Sequence, residues 1–235
     1  QCAHLGGDVA GLTNICRDQA GEPYFLYAAG PRNPNGKIYM LEHLGASPEP
    51  PALLSETGAF TDVTTLAPAP FMLPFAVNSP LWSDAAVKDR WIALPNDGSH
   101  DTPEEQITFS ESGNWIFPAG TVLVKHFALP VDAINPASIV PLETRSIVCL
   151  EEGGKYGVTY RWYPDGSDAY LLTEGETGDY PVLQADGSTV TQTWQFPSRV
   201  DCMSCHNSAS GQALGVRTHQ LNRDYLFPDT GETDN

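Results

Sequence analysis

The sequence predicts a mainly β fold: an antiparallel sandwich or barrel-like domain followed by a short helical C-terminal segment. Three observations predict it. The 235 residues include 21 Gly and 20 Pro, a density of chain breakers that leaves little room for long helices. Short β-prone runs recur along the middle of the chain, separated by turn signals at Asn96-Asp97-Gly98, residues 152–154, Asp165-Gly166 and Asp186-Gly187. Within the runs the side chains alternate. Val122, Val124, His126 and Ala128 share one face of a strand, and Leu123, Lys125 and Phe127 share the other.

The elements follow in order. Residues 1–44 are an N-terminal irregular segment and a β-hairpin. The first twenty residues are Gly-rich and contain Cys2 and Cys16. Residues 22–41 read as the hairpin, two β-prone runs joined by a Pro-Arg-Asn-Pro-Asn-Gly turn at 31–36. Residues 45–52 form a proline-stiffened linker and the expected domain boundary. Residues 53–196 are the all-β domain, with strands at 89–94, 114–117, 120–129, 142–150, 155–163, 168–172 and 189–196. Tyr156, Val158, Tyr160 and Trp162 share one strand face, with Thr159 and Arg161 on the other. Residues 197–235 differ in character and hold the plausible helical turns, near 201–207 and 215–224.

Charge narrows the function classes. Twelve Lys+Arg against 29 Asp+Glu give a net charge of −17, which argues against nucleic-acid binding and against adhesion to an anionic membrane. No apolar run is long enough to span a bilayer, and the N-terminus carries no basic-then-apolar leader. A processed chain and an excised fragment would both look like this. The five cysteines are an odd number, so at least one has a fate other than an ordinary disulfide.

Cys202-Met203-Ser204-Cys205-His206 is a C-x-x-C-H. Two thiols at this spacing add to the two vinyl groups of one haem, and the adjacent histidine presents its imidazole to the iron. A redox C-x-x-C would follow a strand in a βαβ pattern, which is absent, and a zinc site would need a second Cys/His pair at ligand spacing. The expected cofactor is therefore one covalent haem c, held by Cys202, Cys205 and His206. Haem c is assembled outside the cytoplasm, so the expected location is periplasmic or secreted. An oxidising compartment also allows Cys2 to pair with Cys16. Cys149, in an apolar strand, reads as a buried thiol.

The distal iron ligand is open at this stage. No Met follows His206 in the sequence. His126, on an apolar strand face, is the favoured candidate, with His219 as the alternative. Met40, Met72, another chain and an open position are the remaining choices. Arg199, Arg217 and Arg223 flank the motif and are candidates to pair with haem propionates; Arg199 and Arg217 are preferred. The Asp/Asn/Gly turns at 96–101 and 164–168 resemble weak calcium loops, but turn chemistry alone accounts for them. Trp82, Trp91, Trp115, Trp162 and Trp194 either form a sugar-stacking face or belong mostly to the core.

Several stretches together resemble a family of secreted bacterial c-type haem proteins of unassigned activity. They are Leu54-Ser-Glu-Thr-Gly-Ala-Phe60, Val77-Asn-Ser-Pro-Leu-Trp-Ser-Asp84 with Lys88 and Arg90-Trp-Ile-Ala-Leu-Pro95, Phe117-Pro-Ala-Gly-Thr-Val-Leu-Val-Lys-His-Phe127, Leu142-Glu-Thr-Arg145, and Pro197-Ser-Arg-Val-Asp-Cys-Met-Ser-Cys-His206 with Gln220-Leu-Asn-Arg-Asp224. The family often stands behind a sugar-dehydrogenase-like β-propeller, and residues 21–41 are similar to the closing strands of one. Members often continue into a second C-x-x-C-H domain. The resemblance implies haem and an extracytoplasmic location but no substrate.

The expected function is one-electron transfer by a single-haem c-type cytochrome, its partner a dehydrogenase or another cytochrome with a basic docking face. The alternatives are a haem enzyme or sensor with an open distal site, and a glycan-binding or self-associating filament module.

Overall fold

The computed structural model describes residues 12–17, 23–27, 36–40, 49–99, 101–151, 154–207, 210–211, 213–228 and 230–234. The chain divides into two compact units, Gln1–Glu49 and Pro50–Asn235, at a point inside residues 45–52.

In the first unit β1 (Leu12–Arg17), β2 (Pro23–Tyr27) and β3 (Lys37–Met40) form an antiparallel sheet in the order β1-β2-β3. The hairpin is β2 with β3, with Tyr27 opposite Lys37; its turn lies outside the described residues. β1 falls in a stretch read as irregular from its glycines. Cys16 is an exposed free thiol, against the expected pairing with Cys2, which lies outside the described residues.

The second unit begins with a 3₁₀ turn at Leu54–Thr57, then β4 (Phe60–Asp62), β5 (Ala67–Pro68) and β6 (Leu73–Pro74). The long strands follow: β7 (Val87–Ala93), β8 (Val122–Pro130), β9 (Ile139–Cys149) and β10 (Lys155–Trp162), with the shorter β11 (Ala169–Leu171). β6 to β11 make one six-stranded antiparallel meander in the order β11-β10-β9-β8-β7-β6. β12 (Glu176–Leu183) and β13 (Thr189–Phe196) form a separate ribbon. Then come α1 (Arg199–Cys205), α2 (Thr218–Leu221), β14 (Tyr225–Leu226) and β15 (Thr233–Asp234).

The fold is thus mainly β and antiparallel, but it is not a sandwich of two large sheets or a closed barrel. One sheet is covered on each side by shorter pieces. Residues 114–117 are not a strand, since Ile116 makes only an isolated bridge to Thr108. β12 escaped the sequence reading because Gly178 and Pro181 depress strand propensity. A two-stranded ribbon tolerates that proline.

The first face of the sheet holds Trp91, Val124, Val158, Tyr160 and Trp162, packed under Leu54, Phe60, Val63, Ala69 and Met72. Phe60 meets Trp91 edge-on, with centroids 5.2 Å apart. The other face is covered in two places. Trp194 and Phe196 of the ribbon pack on Phe127, Leu129 and Leu142. Ala213 and Val216 of the C-terminal segment pack with Ile92, Phe117 and Cys149.

His126 belongs to the first face. Its Nδ1 lies 2.9 Å from the Thr144 hydroxyl and its ring meets Trp162 edge-on. Burial holds its pKa down to about 4. It is a hydrogen-bonded core histidine, whereas the C-x-x-C-H motif lies over the opposite face. Met72 is likewise 3% exposed in that core. The tryptophans form no common stacking platform: Trp91 and Trp162 lie in one core region, Trp194 in another, and Trp82 is exposed.

Two outcomes follow for His126. His126→Ala should cost roughly 2–3 kcal/mol, from the lost packing and hydrogen bond, as read by urea denaturation. The folded-state pKa is depressed below the unfolded value of about 6.5, so the unfolded chain binds the proton first. The stability conferred by neutral His126 is therefore full above pH 6.5 and falls by up to about 3 kcal/mol as pH drops to 4. The acid-induced loss of stability between these pH values should be smaller in His126→Gln than in the parent.

Candidate haem-attachment site

The second face of the sheet carries the motif. α1 starts at a capping box that Ser198-Arg199-Val200-Asp201 encodes directly. The Asp201 carboxylate accepts from the Ser198 N–H at 2.9 Å, and the Ser198 hydroxyl accepts from the Asp201 N–H at 3.2 Å. Thr159 of β10 donates to the Pro197 carbonyl at 3.0 Å and so ties the helix start to the sheet.

Gly157 of β10 sets how close the helix comes. A Cβ at this position would lie 2.6 Å from Cys202 Cβ and 2.8 Å from Cys202 Sγ. Only a glycine lets the cysteine rest against the strand. Cys202 is buried, which pushes its thiol pKa up, whereas Cys205, three residues on and on the same side of the helix, is exposed. His206, the helix C-cap, is half-buried.

Cys202, Cys205 and His206 all line one cavity of ≈ 410 Å³, within the size range of small-molecule and cofactor sites. Its floor is the sheet face bearing Leu123, Phe127 and Ile147, and its wall includes Ala213 and Val216. The loop around residues 77–83 closes another side. The Asn78 side chain donates to the carbonyls of His219 and Asn222, and the Ser79 N–H donates to Gln220 Oε1. Arg223 Nη1 donates to the Val77 carbonyl at 3.2 Å.

Three cations also line the cavity: Arg90, Lys125 and Arg145. They sit directly opposite one another across β7, β8 and β9. Burial, then the neighbouring Arg90, Lys88 and Arg145, bring the Lys125 pKa down to about 7. Arg145 pairs with the fully buried Glu143, whose Oε1 also accepts from Trp194 Nε1 at 2.9 Å. Burial raises the Glu143 pKa against the opposing pull of Arg145.

The site therefore brings together some of the residues singled out from sequence and not others. Cys202, Cys205 and His206 converge. His126 faces the other side of the sheet. His219 is exposed on α2, and it is its neighbour Gln220 that reaches the cavity. Arg199, Arg217 and Arg223 are not among the cavity residues. Arg90, Lys125 and Arg145 were missed, although the alternation along β8 already set Lys125 between Leu123 and Phe127, away from His126. A lysine between large apolar residues on a buried strand was the available signal.

In the 96–99 turn the Asn96 side chain accepts from the Gly98 N–H. Asp97, Asp101 and Glu105 bring carboxylate oxygens within 4.8 Å of one another. Glu105, however, already accepts from the Asp97 N–H at 2.7 Å and from the Thr102 N–H at 3.3 Å. At 164–168 Asp165 accepts from the Ser167 N–H and hydroxyl, an Asx turn. No protein family, curated protein or solved structure matches the chain.

The close seat of Cys202 is open to test by thiol labelling. A thiol reagent should label Cys205 rapidly and Cys202 slowly. Gly157→Ala must push α1 off the sheet, so it should speed Cys202 labelling at least several-fold and lower the melting temperature. Mass mapping of the labelled cysteines measures both rates.

Proposed function

We propose that this protein is a single-haem c-type cytochrome that transfers one electron outside the cytoplasm. The observation that carries the reading is the convergence of both thiols and the imidazole of one C-x-x-C-H on a single cavity. The residues present fit the group. Cys202 and Cys205 share a side of α1 and would form the two thioethers. His206 would be the proximal ligand. Leu123, Phe127 and Ile147 offer an apolar floor to a flat macrocycle, and the basic residues offer partners for its carboxylates. When bound, haem supplies an iron that cycles between two oxidation states, at a potential set by axial ligand, burial and nearby charge. The chain's own part is to hold the ring, limit water and present an edge to a partner. The net charge of −17 favours a basic partner by long-range attraction. The resemblance of the motif stretches to secreted bacterial haem proteins supports the same reading and an extracytoplasmic location.

One observation favours a second reading. Among the described residues lining the cavity, His206 is the histidine and there is no methionine. A haem held there with its distal side open would bind small ligands, and the protein would be a sensor or a peroxide-reducing enzyme.

Production in an oxidising compartment with c-type haem maturation tests the first reading. Haem should stay with the polypeptide through a denaturing gel, and be lost from the Cys202→Ala/Cys205→Ala double variant. A haem-free wild-type product would sink the proposal. Carbon monoxide then separates the two roles: an unchanged reduced spectrum supports electron transfer, and a shifted one supports the open site. Electron exchange with a basic soluble cytochrome should slow steadily as salt rises.

A further inference from the structure

The basic residues of the cavity form a pattern that the fold does not need. Arg90 pairs with Lys125 across β7–β8, and Lys125 with Arg145 across β8–β9. Like charges directly opposite on one sheet face repel. Lys88 adds a fourth, one row along, opposite Phe127. The Lys88 and Lys125 ammonium groups and the Arg145 guanidinium all lie within 5.9 Å of the Phe127 ring centre. Of the chain's twelve Lys+Arg, four gather here in a protein of charge −17.

Local anions offset them only in part: Asp89 attracts Arg90, and Glu143 attracts Arg145 and Lys125. Among the described residues Arg145 is paired with Glu143, while Arg90 and Lys125 make no ion pair. Arg145 Nε is buried without a hydrogen-bond partner. Asp201 also lines the cavity, but its carboxylate is engaged at the Ser198 cap. The Lys88 ammonium donates to the Leu81 carbonyl, and an Arg90 guanidinium nitrogen donates to the Lys88 carbonyl. Lys88, Arg90 and Lys125 thus have no direct ion-pair partner among the described residues, and they stand beside an apolar floor and the two thiols.

We infer that the Arg90–Lys125–Arg145 row is the carboxylate subsite of the cavity, and that it clamps the propionates of the haem held by Cys202, Cys205 and His206. The inference rests on the haem reading. It replaces Arg199, Arg217 and Arg223 with residues from the sheet. Two propionates would offset the charge left open on the row, and guanidinium groups hold carboxylates in a fixed bidentate geometry.

The test uses the matured holoprotein and three single variants, Arg90→Gln, Lys125→Met and Arg145→Gln, with Lys125→Arg as the charge-retaining control. Covalent haem should persist in all four on a denaturing gel. The midpoint potential should fall in the three neutral variants, because removing a cation favours the oxidised iron, and should stay near the parent value in Lys125→Arg. The propionate bending band in the resonance Raman spectrum should move with it. In the haem-free protein, Lys125→Met should raise the melting temperature, since it removes the repelled member of the row. Unchanged potentials and Raman bands with haem attached would overturn the inference while leaving the haem reading intact. A second arm adds succinate to the parent holoprotein. Binding that is lost in Lys125→Met would show that the row takes a free carboxylate, and would overturn the propionate assignment. If the wild type carries no covalent haem, both the haem reading and the propionate assignment fall. Succinate titration of that haem-free protein, with and without Arg90→Gln, then decides whether a carboxylate subsite survives.

Discussion

Successive residues of β8 point to opposite sides of the sheet, and the rest of the second unit is arranged around that constraint. Val124 and His126 go into the core beneath Leu54, Phe60 and Met72, where His126 bonds the Thr144 hydroxyl and meets Trp162 edge-on. Leu123, Lys125 and Phe127 go to the side where α1 lies. A slip of one residue would exchange the two sets and bury a cation in the core. The neighbours β7 and β9 obey the same register, so Arg90 and Arg145 join Lys125, and Ile92 and Ile147 join Leu123.

The C-terminal segment depends on a second, smaller constraint, the missing side chain at Gly157. The close approach of Cys202 to β10 anchors α1 at its middle, while the Ser198–Asp201 cap and the Thr159 bond anchor its start. The helix is only seven residues long and would not be stable alone. Its position is thus imposed by the sheet, and with it the placement of both thiols and His206 over one apolar surface. α2 is shorter still, and the backbone and side chain of Asn78 add to its few helical bonds.

Charge acts against stability on this face, where like charges stand opposite one another. Burial and mutual repulsion together lower the Lys125 pKa to about 7, so the ammonium is held with difficulty near neutral pH. Glu143 moderates the cost by pairing with Arg145, and Trp194 of the ribbon fixes that carboxylate in turn. The ribbon therefore contributes to the site indirectly, by orienting the residue that orients Arg145. Regions that break local rules of stability are where function is concentrated.

Much of this was legible from local pattern. The strands β7 to β10 and the hairpin of β2 and β3 follow from residue type, period and turn chemistry, all of which act over a few residues. C-x-x-C-H is equally local, and its two thiols and imidazole are legible from five residues. The capping box that starts α1 can be read from four residues. Three things could not be read this way. The sheet's second covering layer draws on Gly178 and Pro181, whose propensities oppose a strand, so pairing with β13 had to override them. The face to which His126 belongs depends on where α1 docks, and docking is settled by a glycine about fifty residues before the motif. The cation row consists of Arg90, Lys125 and Arg145, which are distant in sequence and adjacent only through register. Sequence alone determined which chemical groups the chain offers. The tertiary structure decided which of them share a cavity, because side-chain direction and strand partner are properties of the packed sheet and not of any one segment.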